Sequence, residues 1–154
     1  MSEVIVIGSD HGGLALKEAV IGFLEMQGFK VDDVGTSNQE SVDYPDFGEK
    51  VARLVSRGEV SRGILICGTG IGMSIVANKF PGVRAALATD EFMARMAKEH
   101  NNANIVVLGG RVITPESAQR MVAAWLEAAY EGGRHQQRLD KITRIEQEVA
   151  GLGS

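Results

Sequence analysis

Five short runs punctuate the chain: Val4–Gly8, Lys30–Val34, Ile64–Cys67, Val83–Ala88 and Asn104–Leu108. Most are rich in Val and Ile, and they are continuous rather than alternating. A strand with one wet face alternates apolar and polar residues, so a continuous run predicts a strand covered on both faces. Lys30–Val34 is the most polar of the five. Helix-length segments lie between them. Leu14 to Gln27 carries Leu16, Val20, Phe23 and Leu24 close to a helical stripe, and Gly28 is the expected stop. Asp46 to Arg57 repeats the pattern with Phe47, Val51, Leu54 and Val55. Ile71 to Lys79 is short and apolar, as a buried helix would be. Asp90 is the expected N-cap of a helix running to Asn101. Thr114 caps the next, with Pro115 in its first turn, and that helix is expected to reach about Tyr130. Ser117 stands where a full capping box needs Glu or Gln. Strands alternating with helices predict an α/β fold with a doubly wound, five-stranded parallel sheet.

The chain has 154 residues, 44 % of them hydrophobic, which is one ordinary domain's worth. No repeat, low-complexity tract or linker divides it. A single domain over residues 1–150 is expected, with a C-terminal helix over about 134–149 and a frayed tail at 151–154. The polar stretch from Gly35 to Pro45 reads as a loop. A formal charge of −4 provides no general attraction for nucleic acid. One cysteine cannot form an internal disulfide, which suits a reducing compartment. The apolar run near the start is too short for a signal peptide or a membrane span. A cytoplasmic protein with no nucleic-acid or membrane partner is the expectation.

In open α/β sheets, ligands bind outside the carboxyl ends of the strands. The residues just past the expected strands are polar or glycine. They are Ser9-Asp10-His11-Gly12-Gly13, then Cys67-Gly68-Thr69-Gly70-Ile71-Gly72, then Thr89-Asp90, then Gly109-Gly110-Arg111. The second loop holds the only cysteine. Its spacing is GxGxG, neither a dinucleotide fingerprint nor a P-loop. Glycines there permit a tight turn, and they also bare backbone N–H groups that form a nest for an anion or an oxyanion. Cys67 reads either as a small buried hydrophobe or as a thiol beside that nest. A helix N-terminus stabilises negative charge, so a thiolate there can act as nucleophile or general base. Thr69 adds a hydroxyl close by.

The three histidines are His11, His100 and His135. No His, Cys or Asp spacing resembles a zinc site, so neither metal nor cofactor is expected. Arg134 and Arg138 are four apart and share one helix face. They read either as a phosphate clamp or as a solvated basic face paired with Glu131 or Asp140.

Five segments occur in order across most of the chain: "GSDHGG", "DYP", "CGTGIGMSIVANK", "EHNNANIVVLGGR" and "YEGGRHQQR". Together they resemble the ribose-5-phosphate isomerase B family, which also includes galactose-6-phosphate isomerase. The resemblance implies a Rossmann-like domain that forms a homodimer, extendable to a tetramer, with each active site built across the subunit interface. It implies metal-free interconversion of an aldose phosphate and a ketose phosphate through a cis-enediolate. On this resemblance Cys67 is the base, assisted by Thr69, and Gly68, Gly70, Ile71 and Gly72 hold the enediolate oxygens. His100 opens the sugar ring, with Asp10 as its counterpart. Tyr44 and Asn101 contact the sugar, and His11, Arg111, Arg134 and Arg138 hold the phosphate, with His135 beside them. One branch of the family uses a glutamate where this chain has Met73, so the chain resembles the cysteine branch. Ribose 5-phosphate is the expected substrate. The alternatives are another sugar phosphate, tetrose or hexose, and a non-catalytic sugar-phosphate binding module.

Overall fold

A computed structural model describes residues 3–152. Five strands form one parallel sheet: β1 (Val4–Ser9), β2 (Lys30–Asp33), β3 (Arg62–Cys67), β4 (Ala85–Leu87) and β5 (Ile105–Gly109). Their spatial order is β2-β1-β3-β5-β4. Six helices alternate with them: α1 (Leu14–Met26), α2 (Tyr44–Ser56), α3 (Ile71–Ala77), α4 (Glu91–Glu99), α5 (Pro115–Glu127) and α6 (Arg134–Leu152). The Val/Ile-rich runs are the central strands β1, β3 and β5, buried on both faces. The polar run is β2, an edge strand whose charges discourage pairing with another sheet.

Two cores sandwich the sheet. On one face α1, α4 and α5 pack Leu16, Val20, Ala94, Met121 and Trp125 against Ile5, Ile7, Ile64 and Val106. On the other, α2 and α3 pack Val51, Ala52, Met73 and Ala77 against Val6, Leu65 and Val107. The doubly wound α/β expectation therefore holds. No helix of the described residues is long and apolar enough to cross a membrane.

Several element ends differ from the sequence reading. β4 is confined to Ala85–Leu87, with Asn side chains taking the backbone amides just before it and at its first residue. Asn104 Oδ1 accepts from the Arg84 amide (2.8 Å), and Asn78 Oδ1 accepts from the Ala85 amide (2.9 Å). α2 begins at Tyr44 rather than Asp46, since Pro45 fits the first helical turn. α5 stops at Glu127 because Ala128 is extended. α3 ends at Ala77 and α4 at Glu99, each short of the expected end. α6 continues past residue 149 through Gly151 and Leu152, carried by the helix-forming run 145–150. The rest of the expected tail, 153–154, lies outside the described residues. The caps are as read: Asp90 accepts from the Met93 amide (2.8 Å) and Thr114 Oγ1 from the Ser117 amide (3.1 Å).

A bidentate pair ties the start of the chain to β3: Arg62 donates twice to Glu3, both at 2.6 Å. Hydrogen bonding from Arg62 holds the Glu3 carboxyl below its ordinary value of 4.5. A folded-state pKa below the unfolded one gives stability that is full above the unfolded value and lost as pH falls through the folded value. The stability difference between wild type and Glu3→Gln should therefore be present at neutral pH and vanish in acid. Denaturant titrations across pH 3–7 check this; the pair is partly exposed, so a difference of about 1 kcal/mol is expected.

Candidate active site

The winding of the sheet reverses between β1 and β3, the place where ligands bind in open α/β sheets. Backbone hydrogen bonds knit three loops together at this carboxyl edge. The Asp10 amide donates to Ile66 O (3.3 Å), the Gly110 amide to Cys67 O (2.8 Å) and the Arg111 amide to Gly68 O (2.9 Å). Asp10 Oδ1 accepts from the Gly13 amide (3.2 Å), capping a short 3-10 turn over His11–Gly13.

Cys67 ends β3, opposite Gly109 of β5, and is 5 % exposed. Its Sγ accepts a hydrogen bond from the Gly70 amide (3.2 Å). Gly70 has φ +85°, the left-handed turn that folds the loop back over the sulfur. A side chain there would also strike Leu87. Thr69 is exposed, and its Oγ1 accepts from the Ile71 amide (3.3 Å). The Arg111 side chain lies beside Gly68, where an added Cβ would come within 3.5 Å of it. Met73 is fully buried against α2 and serves as a packing residue.

The segment before α2 completes this edge. The Val42 amide donates to His11 Nδ1 (3.2 Å), which leaves Nε2 as the ring's donor in the neutral state. The start of this segment is anchored by Lys17, which is buried and donates to both Asp33 carboxylate oxygens (2.9 and 2.8 Å) and to Thr36 O (2.6 Å). Tyr44 packs on Gly72, where a Cβ would lie 2.4 Å from the ring's Cζ. Gly72→Ala must therefore displace Tyr44. That ring is 38 % exposed, so it can swing out with little cost to the fold. The expected outcome is a melting temperature within a few degrees of wild type and a Michaelis constant raised about tenfold, read by thermal denaturation and steady-state kinetics.

A second cluster sits at the opposite edge of the sheet. α4 runs back against the strands, so His100 follows it near the strand starts. Asn104, four residues on, accepts from the Gly63 amide (2.9 Å) at the beginning of β3. β3 has six residues, so its two ends lie about 16 Å apart. His100 stacks on His135 of α6, with ring centroids 4.2 Å apart and planes 14° from parallel. Glu131 Oε1 lies 3.5 Å from His100 Nε2 and 3.3 Å from His135 Nε2. Asn101, Arg134 and Arg138 are exposed on the same elements.

The fifteen residues singled out from sequence thus divide into two groups. Asp10, His11, Tyr44, Cys67, Gly68, Thr69, Gly70, Ile71, Gly72 and Arg111 gather at the carboxyl edge. His100, Asn101, Arg134, His135 and Arg138 gather at the amino edge. Within one chain, His100 therefore does not meet Asp10. Sequence reading missed Glu131 as the partner of both histidines; its i,i+4 spacing to His135 was the available signal. It also missed the Lys17–Asp33 anchor, because nothing local marks Lys17 as buried.

Residues 5–142 match the family model described as Ribose/Galactose Isomerase. The chain belongs to that family. Ribose-5-phosphate isomerase B of Escherichia coli (strain K12) is 48 % identical over 143 residues, covering 93 % of this chain and 96 % of the relative. The solved structure of Clostridium thermocellum ribose-5-phosphate isomerase B superposes with a TM-score of 0.93 at 55 % identity, covering 95 % of this chain and 99 % of the other. The Mycoplasma genitalium ribose-5-phosphate isomerase B structure, solved with bound ribulose-5-phosphate, gives a TM-score of 0.92 at 45 % identity, covering 96 % and 99 %. Near-complete coverage in both directions puts this isomerase fold over nearly all of the chain.

Proposed function

We propose that this chain interconverts ribose 5-phosphate and ribulose 5-phosphate, with Cys67 as the general base. The observation that carries the reading is the Cys67 sulfur, held at the end of β3 by the Gly70 amide inside a glycine-rich loop that leads into α3. The Mycoplasma relative with ribulose-5-phosphate bound supports the substrate class.

The proton on C2 of the open-chain aldose is only weakly acidic beside its carbonyl. A thiolate removes it at a useful rate only if the developing enediolate is stabilised at the same moment. Cys67 takes that proton from C2 and returns it to C1, the amides of Gly68 to Gly72 hold the oxygens on C1 and C2, and the hydroxyl proton of O2 passes to O1. Thr69 contributes its hydroxyl near the same atoms. His11 and Arg111 meet the phosphate from the carboxyl edge. Remote phosphate contacts supply binding energy that orients the reacting carbons.

Ring opening, sugar contacts and the rest of the phosphate clamp fall to His100, Asn101, Arg134 and Arg138, with His135 beside them. About 16 Å of strand separates them from Cys67 in one chain. A homodimer that brings the amino-edge cluster of one protomer to the carboxyl edge of the other makes the site whole. Exposed apolar residues support that pairing. Ile71 and Ile75 flank the cysteine loop, and Ile142, Ile145 and Val149 run along α6 beyond the histidines. The α6 residues line a groove that also includes Asn101, and a second copy would cover it.

The deciding test is conversion of ribose 5-phosphate to ribulose 5-phosphate with EDTA present, wild type against Cys67→Ala. Activity that survives the chelator and disappears with the cysteine supports the whole assignment. A wild-type protein inert on ribose 5-phosphate but active on a tetrose or hexose phosphate would move the substrate. Inertness on all of them would leave a binding module.

A further inference from the structure

We infer that His100, Glu131 and His135 form a binding site for a divalent transition-metal ion, zinc foremost, and that filling it switches the isomerase off. The three residues come from the end of α4, the α5–α6 connection and the first turn of α6. The α5–α6 connection passes through Gly132 and Gly133, both left-handed (φ 64° and 56°), and this turn sets Glu131 facing His135. The Glu131 amide donates to Glu99 O (3.0 Å), locking the turn onto the end of α4 beside His100.

The donor atoms already have the dimensions of a site. A tetrahedral ion with bonds of about 2.0–2.1 Å sets its ligand atoms about 3.4 Å apart. The two distances to Glu131 Oε1 are 3.3 and 3.5 Å, and all donor atoms lie within 4.8 Å of one another. Both Nε2 atoms lie beside the same carboxylate, and because the rings are stacked, the half-exposed His100 must rotate out of the stack to aim its in-plane lone pair at an ion shared with His135. The His135 side chain is 8 % exposed, while His100 and Glu131 are 37 % and 50 % exposed. One ligand is thus fixed and two are able to turn inward, with a solvent path for the ion. Two imidazoles and a carboxylate suit zinc, cobalt, nickel or copper rather than calcium or magnesium. Three protein ligands leave a fourth position for water. Arg134 and Arg138 on the same helix repel a dication, so micromolar rather than nanomolar affinity is expected.

An ion on His100 Nε2 occupies the lone pair needed to move a proton during ring opening. Inhibition therefore rests on the role proposed above for His100, whereas metal binding does not. Cys67 is a competing ligand, and the experiment separates the two. The purified full-length protein is titrated with Co2+ and then Zn2+, and the cobalt spectrum identifies the ligands. Wild type and Cys67→Ser should each bind one ion per chain, with a visible d–d spectrum and no near-ultraviolet thiolate-to-cobalt band. Glu131→Gln and His135→Gln, shown to be folded by circular dichroism, should bind at least about tenfold more weakly. Isomerase activity of protein stripped with EDTA and then freed of the chelator should fall as zinc fills the site, and Glu131→Gln should need about tenfold more zinc to lose the same fraction of its own activity. A thiolate band that persists in Glu131→Gln and disappears in Cys67→Ser overturns the site, as does the absence of binding at millimolar metal. Binding without loss of activity overturns the switch. Cobalt bound by nitrogen and oxygen in a protein inert in EDTA would leave the site standing and sink the proposed function instead.

Discussion

Cys67→Ser should lower the turnover of ribose 5-phosphate by about a thousandfold while leaving the Michaelis constant within a few-fold of wild type. The substitution is nearly isosteric. A serine hydroxyl can still accept the 3.2 Å hydrogen bond from the Gly70 amide, so the loop keeps its shape. Tyr44, His11 and Arg111 do not depend on the sulfur for their positions, so substrate binding should persist. What changes is the base: an alkoxide is far harder to form than a thiolate at neutral pH, and no carboxylate replaces it because position 73 is a buried methionine. Loss of turnover with binding retained is the signature of an interaction made in the transition state. Isotope exchange of the C2 proton with solvent should fall in parallel. Near-normal turnover would show that some other group moves the proton.

Mixing two inactive variants should restore activity. Cys67→Ala removes the proposed base at the carboxyl edge, and His100→Ala removes the proposed ring-opening group at the amino edge. In a symmetric dimer with composite sites, a heterodimer of these variants has one site carrying both defects and one site carrying neither. Random pairing makes half the dimers mixed, each with one intact site, so co-expressed or subunit-exchanged protein should recover about a quarter of wild-type activity. Each variant alone should stay near background. No recovery after verified exchange would mean that both groups serve one chain's site, which would require the amino-edge cluster to cross the sheet's length. That outcome would defeat the composite-site proposal while leaving the family membership untouched.

Much of the fold is legible in the sequence because its signals are local. Continuous Val and Ile runs mark strands buried on both faces, and the caps at Asp90 and Thr114 are read by neighbours three residues away. Some errors lie in local signals, such as Pro45 in the first turn of α2, and another lies where a distant side chain intervenes. Nothing in "GVRAAL" announces that Asn104 will take the Arg84 amide just before β4. The carboxyl-edge residues were also legible: a residue just past a strand in a parallel sheet must emerge at that edge, and Cys67, Asp10 and Arg111 all do.

By itself, then, the sequence determined the α/β class, the strands that are buried, and the meeting of the cysteine loop with the first and fifth strand loops. Each follows from hydrophobic periodicity and from the shared direction of parallel strands. Only the tertiary structure decided that β5 lies between β3 and β4, that Lys17 is buried against Asp33, and that His100 sits at the far edge stacked on His135. These depend on how helices dock and where a turn redirects the chain. Such contacts join residues far apart in sequence, and no local pattern encodes them.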